Sequence, residues 1–176
     1  EVMGALALDL VVFVPAGTPW QKRGYTDAED RLMMVMLATS DRPGFAVSRM
    51  EIDRRGPTYT VDTLRRLRQL HPGAELFFIG GSDAFAGAHS WHRFEEIKDL
   101  ASFVVVRRQG TEPHEIDADD RWPQMNFVEM PLIDISATDI RQRVREQRPI
   151  DLLVPAAVAS YIYEHGLYVG TEEQAS

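Results

Sequence analysis

The chain has 176 residues, 44% of them hydrophobic and 26% charged, which is typical of a globular domain with a buried core. Its formal net charge of −8 argues against a general nucleic-acid surface, where basic side chains should dominate. A small anionic ligand held by a few converging donors remains compatible with that charge. Without cysteine the chain has no disulfide, thiolate metal site or thiol catalysis, and it suits a reducing compartment.

Short apolar runs alternate with amphipathic segments along the chain. Strands are predicted at residues 10–14, 45–48, 76–79, 103–106 and 127–130. Helices are predicted at 27–39, 59–70, 94–100, 136–146 and 155–165, and residues 1–8 match the end of a helix. In the helix at 27–39, Leu32, Met33, Met36 and Leu37 are expected on one face. This alternation predicts an α/β fold, with a mostly parallel sheet and helices on both of its faces.

Parallel sheets bind ligands beyond the carboxyl ends of their strands. The loops in which to look for a site are therefore those at 15–22, 80–91, 107–110 and 134–138, and we expect them to meet around nucleotide ligands. The polar, acidic stretch at 109–123 is predicted to be a surface excursion. No apolar run approaches the roughly 20 residues that span a bilayer.

The segment I-S-A-T-D-I-R at 135–141 is the most informative motif. Ser136 is predicted to cap a helix, with Asp139 completing an S-x-x-D capping box. The amides of the first turn, the Thr138 hydroxyl and Arg141 can then bind one phosphate. Taken alone, an ordinary capped helix with a solvated arginine is the simpler interpretation.

Two further loops carry candidate ligand contacts. Lys22 can reach a phosphate as a mobile point charge, although a solvated loop lysine explains it as well. The glycines of Gly80-Gly81-Ser82-Asp83 allow close backbone approach to a ligand, and Asp83 can accept hydrogen bonds from a ribose. The alternative for that turn is a strand-to-helix connection with Asp83 as the helix cap.

Aromatic and basic residues follow the other predicted elements. Trp91 can stack on a flat heterocycle, or it can be a core or lid residue. Amides near Thr60, at a predicted helix start, suit a carboxylate or a phosphate, or the turn is simply capped. Arg107 and Arg108 can hold polyphosphate, or they balance the acidic stretch that follows them.

Other chemistries lack their motifs. The five histidines show no zinc-binding spacing, so no metal ligand is predicted. The chain contains neither a G-x-S-x-G nucleophile elbow nor a G-x-x-x-x-G-K-[ST] phosphate loop.

Taken together, these motifs resemble the nicotinate-nucleotide adenylyltransferase family along nearly the whole chain. The T-Y-T-x-D-T-L and I-S-x-T-x-I-R elements are fairly specific as a pair. The matching segments, in chain order, are P-W-Q-K at 19–22, T-Y-T-V-D-T-L at 58–64, G-G-S-D at 80–83, Trp91, Arg108, I-S-A-T-D-I-R at 135–141 and Y-I-Y-E-H-G-L-Y at 161–168.

The resemblance implies one Rossmann-like nucleotidyltransferase domain over residues 1–176 and adenylyl transfer from ATP to nicotinate mononucleotide in NAD biosynthesis. The products are nicotinate adenine dinucleotide and pyrophosphate, and Mg²⁺ accompanies ATP. The implied contacts to nicotinate mononucleotide are Thr60, Asp83, Trp91 and His92. Those to ATP are Gly81, Arg108, Ser136, Thr138 and Arg141, with Lys22 and Arg141 as the catalytic cations. A cytoplasmic enzyme, a homodimer, and no nucleic-acid or membrane partner are also implied.

The chain departs from the family pattern in two places. The family signature G-G-x-F-D-P-x-H-x-G-H, which covers the first strand and its exit loop, is expected upstream of Glu1. Ala137 replaces the second hydroxyl of the usual I-S-S-T and removes one donor. Two alternatives stay open: a catalytically silent nucleotide-binding protein, and a related adenylyltransferase acting on nicotinamide mononucleotide or phosphopantetheine.

Overall fold

The computed structural model describes residues 1–18, 26–108 and 125–170. Strands and helices alternate in the order that the sequence predicts. No helix within these ranges is both long enough and apolar enough to cross a bilayer. The elements are α1 (Val2–Ala5), β1 (Val11–Phe13), α2 (Ala28–Thr39), β2 (Phe45–Val47), α3 (Thr60–Leu70), β3 (Phe77–Gly81), α4 (Ser82–Ala86), a 3₁₀ turn (Ala88–Ser90), α5 (Phe94–Leu100), β4 (Ser102–Arg108), β5 (Met125–Met130), α6 (Ala137–Arg145) and α7 (Ala156–Glu164).

The chain divides into two compact units. The first contains Glu1–Asp9 and Thr58–Leu132, and the second contains Leu10–Pro57 and Ile133–Ser176. The single nucleotidyltransferase domain expected over residues 1–176 stays a prediction.

The first unit is built on a parallel sheet of three strands, with β4 between β3 and β5. Gly81 at the end of β3 lies opposite Val106, which in turn lies opposite Val128. The carboxyl ends of all three strands therefore reach the same edge of the sheet.

Both faces of β4 are buried, as a central parallel strand requires. Phe103 and Val105 point to one face and Val104 to the other, and all three are buried. The core on the Phe103 side includes residues from both neighbouring helices, among them Val61 of α3 and Ile97 of α5. The continuous apolar run in the sequence had predicted this burial, so the α/β fold with a parallel sheet is confirmed.

The second unit has a parallel pair of strands and a helical core. In the pair, Val11 of β1 lies opposite Phe45 of β2. The core is formed by α6, α7 and the segment between them, with Ile150 fully buried at its centre. Helix α2 packs against it through its partly buried apolar residues Met34, Leu37 and Ala38.

The predicted buried face of α2 is wrong in part. Leu32 is buried, but Met33 and Met36 are 39% and 46% exposed, whereas Met34 contacts the helical core. The reason is that residues 32–37 are apolar without interruption. Such a run has no polar positions to mark the outer face of the helix.

The boundaries of the strands differ from the prediction at the functional edge. β3 continues through Gly80 and Gly81, and β4 includes Arg107 and Arg108, because these backbones pair with the next strand. The segment predicted as a loop at 80–91 contains α4 and the 3₁₀ turn. These pieces are too short for a periodic apolar pattern to indicate them.

Candidate active site

The end of β3 forms the first part of the site. Gly81 is the N-cap of α4, with an extended backbone at φ −77° and ψ 162°. Asp83 is consequently the second residue of α4, so the alternative that it caps the helix is wrong. The side chains of Asp83 and Arg108 lie outside the described part of the structure, and their predicted contacts stay predictions.

Core packing explains why residue 80, the first of the adjacent glycines Gly80 and Gly81, has no side chain. A Cβ atom at Gly80 would lie 2.9 Å from Cε2 of Phe85, a distance that real Cβ contacts do not reach. The absence of a side chain at Gly80 therefore makes room for a buried core ring. The predicted close approach to a ligand is not needed to explain this residue.

The next strand end presents a cation held on an aromatic ring. The guanidinium carbon of Arg107 lies 3.8 Å from the centroid of the Phe127 ring on β5. This is a cation–π contact between neighbouring strands. It orients Arg107 along the sheet surface at the edge where Gly81 ends β3.

Trp91 follows the 3₁₀ turn and is half-buried against the core of the first unit. Its ring meets the Phe78 ring edge-on, with centroids 5.3 Å apart and planes at 69°. The Phe85 ring lies 6.1 Å away at 38°. Trp91 thus has a structural role in the core as well as partial exposure, and these two properties suit a fixed stacking surface.

The neighbouring His92 is exposed, and its ring lies against that of Tyr59, with centroids 4.4 Å apart. Tyr59 is the N-cap of α3, and its side chain makes no capping hydrogen bond. Since a helix cannot satisfy its first amides internally, the N–H groups of Thr60 and Val61 are suited to an anion. The structure therefore brings three of the predicted residues, Thr60, Trp91 and His92, into one group.

Sequence analysis did not single out Tyr59. Its ring is the contact that connects the start of α3 to His92, and the two residues are far apart in the chain. The T-Y-T-V-D-T-L motif contains Tyr59, but a motif alone does not indicate its partner.

In the second unit, the start of α6 has the predicted cap. Ser136 is the N-cap, and its Oγ accepts a hydrogen bond from the Asp139 N–H at 3.0 Å. In a complete capping box the Asp139 carboxylate would also accept a hydrogen bond from the Ser136 N–H. Here that carboxylate forms a salt bridge instead, in which Arg143 Nε donates to Asp139 Oδ2 at 2.9 Å. An acidic side chain in the first turn is also favoured by the helix dipole.

Two predicted phosphate ligands meet one turn into the same helix. Arg141 Nη2 donates to Thr138 Oγ1 at 3.2 Å. Ser136 and Thr138 are exposed, whereas Ile140, between Thr138 and Arg143, is buried and fixes the helix on its core. The structure thus places Ser136, Thr138 and Arg141 together at one exposed helix end, which is suited to a polyphosphate.

Lys22, the other predicted catalytic cation, lies outside the described residues. Among the residues in the three described ranges, no group of three or more His, Asp or Glu side chains is arranged to hold a metal ion.

Comparisons with known proteins place this chain among its relatives. A family model described as cytidylyltransferase-like matches residues 1–143. A Mycolicibacterium smegmatis protein named "probable nicotinate-nucleotide adenylyltransferase" is 48% identical over 175 residues, covering 96% of this chain and 82% of the relative. A Corynebacterium jeikeium protein of the same name is 45% identical over 182 residues, covering 98% of this chain and 92% of the relative. The chain belongs to the nicotinate-nucleotide adenylyltransferase family.

Solved structures agree on the fold of this family member. Plasmodium falciparum nicotinic acid mononucleotide adenylyltransferase, complexed with NaAD, matches with a TM-score of 0.72 and 19% identity. The match covers 95% of this chain and 90% of that one. At this identity the likeness establishes the fold alone, and it confirms the Rossmann-like nucleotidyltransferase fold.

Proposed function

We propose that this chain transfers the adenylyl group of ATP to nicotinate mononucleotide, which gives nicotinate adenine dinucleotide and pyrophosphate in NAD biosynthesis. The 5′-phosphate oxygen of the mononucleotide attacks the α-phosphorus of ATP. The bond from that phosphorus to the bridging oxygen breaks, and pyrophosphate leaves. The observation that carries the proposal is the high identity to relatives of that name over nearly the whole chain.

The group at the start of α3 is assigned to nicotinate mononucleotide. Trp91 stacks on the pyridine ring, and the Thr60 amide binds the nicotinate carboxylate, with the backbone of His92 beside it. Asp83 binds the ribose. The half-burial of Trp91 and the aromatic contact that fixes His92 on Tyr59 support this assignment.

The start of α6 is assigned to ATP. Ser136, Thr138 and Arg141 are assigned to its phosphates. Gly81 and Arg108 are assigned to ATP by the family resemblance. Mg²⁺ bound to ATP would neutralise charge on the phosphates. The hydrogen bond from Arg141 to Thr138 supports the assignment because it shows two donors already held at one helix end.

Catalysis in this proposal is mostly positioning and charge stabilisation. Phosphoryl-type transfer needs little covalent help from protein, so no nucleophilic side chain is required. Lys22 and Arg141 stabilise negative charge on the phosphates in the transition state. Substitution of either cationic side chain should therefore lower kcat more than it weakens ground-state binding.

Pyrophosphate release tests the proposal directly. The purified enzyme with nicotinate mononucleotide, ATP and Mg²⁺ should release pyrophosphate and form nicotinate adenine dinucleotide. Nicotinamide mononucleotide and phosphopantetheine, tested in parallel, should be used much less well because the carboxylate contact is lost. Binding of both nucleotides by calorimetry without any product would instead identify a silent nucleotide-binding protein.

The remaining assignments concern the setting of the reaction. We expect the partners to be small molecules, consistent with the net charge of −8, and the enzyme to act in the cytoplasm as a homodimer. Size-exclusion chromatography with light scattering measures the oligomeric state.

A further inference from the structure

Helix α5 is joined to α3 by a carboxylate that binds two arginines. Arg65 of α3 donates from Nε to Glu96 Oε1 of α5. Arg93, the N-cap of α5, lies with Nη2 2.6 Å from the second carboxylate oxygen, Glu96 Oε2. Because each oxygen has its own arginine, the position of Arg93 is tied to that of α3. The Glu96 side chain is 28% exposed, so water screens these ion pairs less than it screens fully exposed ones.

This ion bridge ends beside the group assigned to nicotinate mononucleotide. Arg93 follows His92 in the chain, and its backbone is in the left-handed region, at φ 57° and ψ 46°. A residue other than glycine adopts that conformation at a cost in energy, so the surrounding contacts must hold it there. On the α3 side, Arg65 Nη1 donates to Asp62 Oδ1, in the first turn of the helix, at 3.1 Å. The ion bridge therefore runs from the turn after Trp91 to the start of α3.

We propose that Glu96 and Arg65 are positioning residues for nicotinate mononucleotide. Their ion pair fixes the turn at Trp91 and His92 against the start of α3. The proposal rests on the proposed function, which assigns that turn and the Thr60 amide to the pyridine ring and its carboxylate. The nicotinate group is rigid, so the turn and the start of α3 must keep their spacing to contact it together. Neither positioning residue needs to touch the substrate.

Two substitutions that change the local charge in opposite directions test the proposal. Glu96→Ala removes a negative charge and Arg65→Ala removes a positive one, and both break the ion bridge. Each should raise the dissociation constant of nicotinate mononucleotide, measured by calorimetry, about threefold to tenfold, the scale of a partly screened charged hydrogen bond. The dissociation constant of ATP should not change. The double substitution should be no worse than either single one, because both residues act through one contact.

The matched control is Arg68→Ala. Arg68 joins the same two helices at their other end, where its Nε donates to the Leu100 carbonyl oxygen at 3.0 Å. Loss of that contact should lower the melting temperature and leave the dissociation constant of nicotinate mononucleotide unchanged. Equal weakening by Arg68→Ala would mean that helix packing in general controls binding, and it would overturn the proposal. Opposite shifts for Glu96→Ala and Arg65→Ala, which would identify a charge effect, or no shift for either, would overturn it as well.

Amide hydrogen exchange in the free protein separates this proposal from the proposed function. The Trp91 N–H donates to the Ala88 carbonyl oxygen at 2.9 Å, and the His71 N–H donates to the Leu67 carbonyl oxygen at the far end of α3. Glu96→Ala should raise the exchange rate of the Trp91 amide several-fold and leave that of His71 unchanged. An unchanged rate at Trp91 would overturn the positioning role. A wild-type protein that neither binds nicotinate mononucleotide nor releases pyrophosphate would refute the proposed function, and the exchange rates would still report whether the ion bridge holds the turn.

Discussion

The rings of Tyr59 and His92 lie 4.4 Å apart, with their planes inclined by 31°. This contact connects the N-terminus of α3 with the residue after Trp91, so it holds together the group assigned to nicotinate mononucleotide. Tyr59→Leu should weaken binding of that substrate by roughly 0.5–1.5 kcal/mol, which is the usual value of an aromatic pair. Tyr59→Phe keeps the ring and serves as the control. Calorimetric titration measures both, and equal losses in the two variants would refute the role of the ring contact.

The stacking role of Trp91 is tested by comparing the two substrates. Trp91→Ala should weaken binding of nicotinate mononucleotide by about 1–3 kcal/mol and leave ATP binding nearly unchanged. Because Trp91 also packs on Phe78 and Phe85, the substitution lowers stability as well. The ratio of the two KM values separates these effects, since a smaller folded fraction does not change it. Phe103→Leu, in the same core, is the control and should leave the ratio unchanged.

Arg141 should act on the ATP side. Arg141→Ala removes the donor that bonds to Thr138. It should lower kcat/KM for ATP by a factor that corresponds to about 1.5–3 kcal/mol of lost transition-state stabilisation, the value of a hydrogen bond to a charged group. Arg145→Ala, an exposed arginine in the last turn of the same helix, is the matched control. If both substitutions give the same small loss, Arg141 is a solvated surface residue and does not belong to the site.

Gly17 and Gly4 should respond in opposite ways to the addition of a methyl group. A Cβ at Gly17 would collide with the Glu51 backbone, whereas a Cβ at Gly4 meets nothing within 4 Å. Gly17→Ala should lower the free energy of unfolding by about 1–3 kcal/mol, because backbone must move to accept it. Gly4→Ala lies in a helix and should raise it by up to about 1 kcal/mol. Urea midpoints of the two variants measure the difference, and a stable Gly17→Ala protein would contradict the structure.

The stability of the second unit should depend on alkaline pH through Tyr161. Its hydroxyl donates to Asp30 Oδ1 at 2.8 Å, and this hydrogen bond is the main reason that its pKa lies above the ordinary value of 10.0. A raised pKa favours the neutral phenol in the folded state. The stabilisation is therefore complete below pH 10.0 and is lost as the pH rises through the folded-state pKa.

Comparison with Tyr161→Phe isolates that effect. The wild-type protein should have the higher melting temperature at neutral pH, and this advantage should disappear at alkaline pH as tyrosinate forms beside the Asp30 carboxylate. Thermal unfolding and tyrosinate absorbance across the same pH range measure it. A constant difference in melting temperature at every pH would show that Tyr161 does not titrate against Asp30.

The sequence predicted the elements well wherever the pattern of burial was simple. The apolar runs that became β3 and β4, and the S-x-x-D start of α6, were located within a few residues. The inner face of α2 was not predictable, because a helix with apolar residues on every side can dock in more than one orientation. Met33 and Met36 were misassigned for that reason.

Contacts between distant side chains were the part of the site that the sequence could not predict. Thr60 and Trp91 were chosen from local motifs and His92 from the family resemblance, but the contact between the Tyr59 and His92 rings depends on tertiary packing. Arg31 of α2 was not singled out because it sits among other charged residues of the helix, and the two hydrogen bonds that it donates to Gly17 and Thr26 go to main-chain carbonyl oxygens. Backbone acceptors are present at every residue, so sequence patterns do not indicate which ones an arginine will bind.

The aromatic cluster around Trp91 has a thermodynamic consequence. Phe78, Phe85 and Phe103 come from β3, α4 and β4. Phe85 meets the other two rings edge-on, and Phe78 and Phe103 meet at a tilt. These contacts hold the indole preorganised before any substrate arrives. When a ligand ring stacks on the indole, the protein therefore loses little conformational entropy. Association should accordingly be fast, and its heat-capacity change small and set by the apolar surface that the two rings bury.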